Sequence, residues 1–103
     1  MRRGEIWWAD LGPPAGKRPV LLLSREEAYS IRTAVTVAPL TRTIRGIPVE
    51  VPVDVKDGLT KPCVINLDSL ITIPKRRLQA RITTLSADKL RLVRDAIRFA
   101  LDL

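Results

Sequence analysis

Two absences and one excess define the chemistry open to this chain. It has no histidine and a single cysteine, Cys63, so from its own residues it cannot build a Cys/His zinc site, a Ser-His-Asp triad or a Cys-His pair. Its 18 Lys+Arg outnumber 11 Asp+Glu for a formal charge of +7, which makes a polyanion the expected partner, with RNA and DNA leading. The excess is spread out: residues 1–33 carry 6 positive and 4 negative charges, residues 34–62 carry 4 and 3, and residues 63–103 carry 8 and 4. With no basic tail, any binding face must be assembled by folding. Cys63, between Pro62 and Val64-Ile65, reads as a small buried core residue, and a lone cysteine suits a reducing cytoplasm.

The 103 residues fit one domain, and 46% hydrophobic with 28% charged residues is the balance of a soluble globular protein. The longest aliphatic stretch, Val20 to Leu23, falls far short of the roughly 20 residues needed to span a bilayer, and no signal peptide is visible. Arg3 to Asp10 reads as a first strand with Ile6 and Trp8 on one face and Glu5 and Trp7 on the other. Glycines and prolines from Leu11 to Lys17 demand a loop, after which Arg18 to Ser24 is a continuous apolar strand, which implies burial on both faces or at least a central position. Ser24 and Glu27 form a capping-box pattern that predicts a short helix over Arg25 to Ser30.

Ala34 to Thr41 is a strand with Val35, Val37, Pro39 and Thr41 on one face and Thr36, Ala38 and Leu40 on the other. The basic connection Arg42 to Gly46 leads to an alternating strand, Val49 to Asp54, in which Pro52 marks a sheet edge. Cys63 to Asn66 and Leu70 to Ile73 are further strands, and Ala80 to Thr83 supplies a last short one after the basic turn Lys75 to Leu78. Ser86 caps a final helix whose Leu90, Val93, Ile97 and Leu101 recur at helical spacing, leaving Lys89, Arg91, Arg94 and Arg98 as a solvated face. Many short strands followed by one helix predict a mainly β fold with a C-terminal helix, an SH3-like barrel.

Taken in order, Arg3-Gly4-Glu5-Ile6-Trp7-Trp8-Ala9-Asp10-Leu11, Arg18-Pro19-Val20-Leu21-Leu22-Leu23-Ser24 and Val35-Thr36-Val37-Ala38-Pro39-Leu40-Thr41 resemble the MazF/PemK/Kid family of bacterial toxin endoribonucleases. The segment Val64 to Ile73 resembles that family's strand-turn-strand unit. The resemblance implies a barrel of the MazF/CcdB type and a homodimer. It further implies cleavage of single-stranded RNA without metal or cofactor, and restraint by an acidic antitoxin.

Two positions match the family's catalytic arginine and threonine: Arg18, directly before Pro19, and Thr41, closing its strand. On the bland alternative, Arg18 pairs with Glu5 or Asp10 and Thr41 satisfies a turn. Lys17, Arg42 and Arg45 flank the pair in two loops and are candidate RNA contacts, as is Ser69, where many relatives carry glutamine. Some members carry a Ser-Glu pair in the first loop; Gly12 to Lys17 lacks it, so no role for that glutamate transfers. Trp7, pointing away from Trp8, is expected at a dimer contact or under the terminal helix rather than on a base. Two rival readings are a CcdB-like gyrase-trapping toxin, disfavoured because Phe99 to Leu103 contains no tryptophan, and a non-catalytic RNA-binding barrel.

Overall fold

The computed structural model describes residues 1–103. Seven strands, β1 (Glu5–Asp10), β2 (Lys17–Leu22), β3 (Ala34–Thr41), β4 (Glu50–Val53), β5 (Cys63–Asn66), β6 (Ile71–Pro74) and β7 (Leu78–Thr84), accompany a one-turn helix α1 (Ala28–Ile31) and a C-terminal helix α2 (Ala87–Leu101). Every pairing is antiparallel, in the order β4-β5-β3-β2-β1-β7, with β6 also on β3. β3 is shared lengthwise: Ala34 to Val37 pair with β6, while Leu40 and Thr41 pair with β5. Between the two ladders falls Pro39, which has no N–H to offer.

β2 is buried on both faces, as its unbroken apolar run predicts. Leu21 and Leu23 enter one cluster with Ile6, Ala38, Leu40, Val51, Val53, Ile65 and, from α2, Val93 and Ala96. Val20 and Leu22 enter a second with Ala9, Val35, Val37, Ile73 and Leu78, covered by Trp7, Leu11 and Tyr29. Burying each such large aliphatic side chain contributes about 1.5–3 kcal/mol. Val51 and Val53, from one end of the strand order, meet Ile6 and Leu85 from the other, so the sheet is curled around the first cluster.

No ladder joins β4 to β7; side chains bridge the gap. Thr83 Oγ1 donates to the Asp57 carbonyl at 3.0 Å, and Lys89 Nζ donates to the Pro52 carbonyl at 2.6 Å and lies 3.6 Å from Asp57 Oδ2. Gly58, at φ +98°, sits so close to Thr83 that an added Cβ would lie 2.4 Å from its hydroxyl, so only glycine lets this crossing form. Lys89 therefore closes the curl and is not part of a free solvated face.

Two further expectations are corrected. Ser24 caps no helix: its Oγ accepts from the Thr36 N–H at 2.8 Å, and the helical turn shrinks to Ala28–Ile31. The last strand is longer than expected, running from Leu78 to Thr84. Ser86 does cap α2, accepting from the Lys89 N–H at 3.2 Å. No helix is long and apolar enough to cross a membrane.

Candidate functional site

The register of β2 against β3 aligns Leu22 with Val37, Leu21 with Ala38 and Val20 with Pro39. Carried two residues beyond that last pair, the same register sets Arg18 opposite Thr41, past the end of the ladder. By strand alternation both lie on the Val20–Val37 face, while their neighbours Lys17, Pro19, Leu40 and Arg42 lie on the other. The pair thus stands on a rim between two clefts, and Arg18, Thr41, Ala15 and Thr43 line both.

The inner cleft, about 460 Å³, opens from the first hydrophobic cluster. Its floor is Leu40, Leu59, Cys63 and Ile82, with Trp8 at its mouth and Lys17, Arg18, Arg42 and Lys61 around it. It contains no carboxylate. The outer cleft, about 370 Å³, is lined by Arg45, Glu50, Asn66 and Ser69 beside the shared pair, with Leu11, Pro39 and Ile71 as its apolar wall. Its one carboxylate is engaged: Glu50 Oε1 accepts from the backbone N–H groups of Arg45 and Gly46, both at 3.0 Å, which holds the Arg42–Pro48 connection against β4.

Arg18 makes no ion pair with Glu5 or Asp10. Its Nε donates to the Ala15 carbonyl at 3.3 Å, within a loop closed by Leu11 N–H to Gly16 O at 3.0 Å and Gly16 N–H to Gly12 O at 2.8 Å. That one bond orients the guanidinium and leaves its terminal nitrogens free. Thr41 does serve a turn, its Oγ1 accepting from the Thr43 N–H at 3.2 Å. Accepting leaves the hydroxyl proton available for donation. Cys63 is buried, and burial pushes its thiol pKa up despite the Arg42 guanidinium nearby, so it forms floor rather than nucleophile.

All six residues singled out by sequence therefore line this double cleft: Lys17 and Arg42 the inner part, Arg45 and Ser69 the outer, Arg18 and Thr41 both. Sequence reasoning missed Trp8, Lys61, Glu50 and Asn66. Of the two expectations for Trp7, packing under α2 is corrected: it packs on the second cluster, and its indole N–H donates to Glu5 Oε1 at 3.0 Å. Trp8, on the face of fully buried Ile6, is 43% exposed at the cleft mouth. Only its half-exposure distinguishes it, and that was hidden in the alternation.

Residues 2–101 match the family described as PemK-like, MazF-like toxins of type II toxin–antitoxin systems. The chain is 45% identical over 86 residues, 84% of each protein, to the endoribonuclease MazF3 of Mycobacterium tuberculosis. In structure it is similar to the Mycobacterium tuberculosis toxin MazF-mt6, with TM-score 0.89 and 42% identity over 96% of this chain and 97% of that one. An endoribonuclease from a mycobacterial species, solved in complex with its cognate antitoxin, also superposes with TM-score 0.89, at 28% identity over 100% and 96% of the two chains.

Proposed function

The chain belongs to the PemK/MazF-like toxin family of type II toxin–antitoxin systems, and on that premise we propose that it is a sequence-selective endoribonuclease toxin acting on single-stranded RNA. A single toxin domain over residues 1–103 carries the activity, in the cytoplasm and as a homodimer. The observation that carries the reading is a cleft that sets Arg18 and Thr41 together amid cations free of ion pairs. Such a cleft suits a polyanion that brings its own nucleophile.

In the reaction, the 2′-hydroxyl adjacent to the scissile phosphate gives up its proton to solvent as its oxygen attacks phosphorus, the bond from phosphorus to the 5′-oxygen breaks, and that oxygen takes up a proton from solvent and leaves as a 5′-OH. The other fragment keeps a 2′,3′-cyclic phosphate. The phosphorane between these states carries extra negative charge on its non-bridging oxygens. Arg18 offers them a planar fork of donors, a contribution on the order of 10²- to 10³-fold in rate for one preorganised donor. Thr41 donates its hydroxyl to the same group. Lys17 and Arg42 hold phosphate on the inner side, and Arg45 and Ser69 contact RNA on the outer side.

The donor set supports chemistry without metal. Guanidinium and ammonium groups are poor ligands for a divalent cation, and the one carboxylate beside the pair, Glu50, already uses its Oε1 for two backbone bonds. An acidic antitoxin segment would complement the same cations and inhibit by covering them. Purified protein mixed with long single-stranded RNA in EDTA should yield fragments with 5′-OH ends. RNA left intact across varied sequences would refute the proposal.

A further inference from the structure

Trp8 is placed as no packing requirement explains. Ile6, two residues earlier on the same face, is fully buried, yet the Trp8 indole is 43% exposed. Its partners across the two neighbouring strands are Pro19 and Ala80, too small to cover it. The pairing of β1 with β7 also shifts register on either side of the Trp7–Trp8 pair, leaving Gln79 and Ile82 of β7 without partners on β1. Bulges of this kind re-aim side chains. Ile82 turns into the inner cleft, beneath the same mouth that Trp8 occupies. The outcome is a large aromatic face over an apolar floor, ringed by cations, with Pro19 joining it in sequence to Arg18.

We propose that Trp8 stacks on the nucleobase next to the scissile phosphate and thereby holds the RNA in register with Arg18 and Thr41. The inference rests on the nuclease reading above and deepens it. Phosphate contacts alone leave a strand free to slide by one repeat, whereas an aromatic platform one residue across from Arg18 gives the strand a stop. Every base has a π face, so this contact positions without choosing sequence. Sequence choice falls to the outer cleft, where the Asn66 side-chain NH2, its Oδ1 being held by the Asp68 N–H at 2.9 Å, and the Ser69 hydroxyl are available to a base edge.

The test uses the full chain and a mixed-sequence 2′-O-methyl oligoribonucleotide, which cannot be cut, beside a strand of equal length lacking bases. In a Trp7→Phe background Trp8 is the one remaining indole, and its fluorescence should be quenched by the base-bearing strand and not by the abasic one. Trp8→Ala should raise Kd for the base-bearing strand by about five- to a hundredfold, and Trp8→Phe should restore most of it. On cleavable RNA, Trp8→Ala should raise KM by a similar factor. Equal Kd for wild type and Trp8→Ala, or equal quenching by both strands, overturns the proposal. Failure of the nuclease reading looks different: a wild type that binds and quenches but cuts no RNA supports the stacking and removes the activity. A wild type that cuts, with KM unchanged in Trp8→Ala, does the reverse.

Discussion

Lys17, Arg18, Arg42 and Lys61 surround a cleft to which no carboxylate contributes, whereas on α2 Arg91 binds Asp88 and Lys89 binds Asp57 and the Pro52 carbonyl. Both regions are basic in sequence, yet their cations are employed differently. On the helix they are engaged by intramolecular partners or interspersed with Asp88 and Asp95. In the cleft they stay unpaired because the nearby acids are occupied elsewhere. Glu5 takes the Trp7 indole N–H at 3.0 Å and Arg81 at 3.5 Å, and Asp10 Oδ1 takes the Gly12 N–H at 3.0 Å. Net charge therefore says little about where a polyanion binds; the disposition of carboxylates says more.

The largest effect should come from Arg18→Ala. Cleavage should fall by on the order of 10²- to 10³-fold, measured as kcat on an unstructured RNA, while stability changes by less than about 0.5 kcal/mol because the side chain makes a single backbone hydrogen bond. A large loss of stability would make Arg18 a structural residue instead. Thr41→Val should cost about ten- to a hundredfold in kcat, the worth of one hydrogen bond to a charged group, with Thr41→Ser close to wild type. A fully active Thr41→Val enzyme would assign the hydroxyl to the Thr43 turn alone.

Charge neutralisation tests the contrast between regions directly. Replacing Lys17, Arg42 and Lys61 by Gln should reduce the salt dependence of RNA binding by ~2 in log–log slope, at ~0.7 for each phosphate no longer neutralised. The same change at Arg91, Arg94 and Arg98 should leave the slope unaltered. A drop for the helix variant and none for the cleft variant would move the RNA to α2.

The smallest effect is on stability and depends on pH. Burial alone would raise the Glu5 carboxyl, but the Trp7 indole N–H, the Arg2 amide, the N-terminal ammonium and Arg81 together hold it below its ordinary 4.5. A depressed folded-state value adds stability above the unfolded pKa, and that stability is lost as pH falls through the folded one. Glu5→Gln should therefore lower stability by about 1–2 kcal/mol near neutral pH, with the gap to wild type shrinking below pH 4.5 in urea melts. A gap that stays constant down to acid would mean that the carboxylate charge has no part in this cluster. RNA cleavage near neutral pH should be unaffected.

Much of the architecture is legible in the residues. The strand Ala34–Thr41 has the predicted bounds and faces, Pro52 lies on edge strand β4, and Ser86 caps α2, because each depends on period-2 alternation or a local hydrogen bond. The misreadings have equally local causes. Ser24 has the type and spacing of a cap, but the Thr36 N–H, twelve residues on, claims its hydroxyl. β7 is read short because Leu78 follows Lys75-Arg76-Arg77 and goes with that basic turn, whereas in the fold it pairs with Ala9 and opens the strand. Trp7 and Trp8 were assigned to opposite faces correctly, but no pattern within the strand says which face is sealed by tertiary contacts and which opens into a cleft.

What the sequence determined by itself is the set of admissible chemistries and the orientation of side chains along each strand. The absence of histidine is a matter of composition, and alternation is a property of neighbouring residues. Only the tertiary structure decided that Arg18 and Thr41 line the same clefts, that Trp8 and Ile82 share one of them, and that the cations there lack partners. Those relations depend on register between segments far apart in the chain, which is set by the packing of two hydrophobic clusters on opposite faces of β2 and β3. A one-residue slip would turn Arg18 and Thr41 to different sides of the sheet and disrupt both cores, and it is this shared penalty that holds the site together.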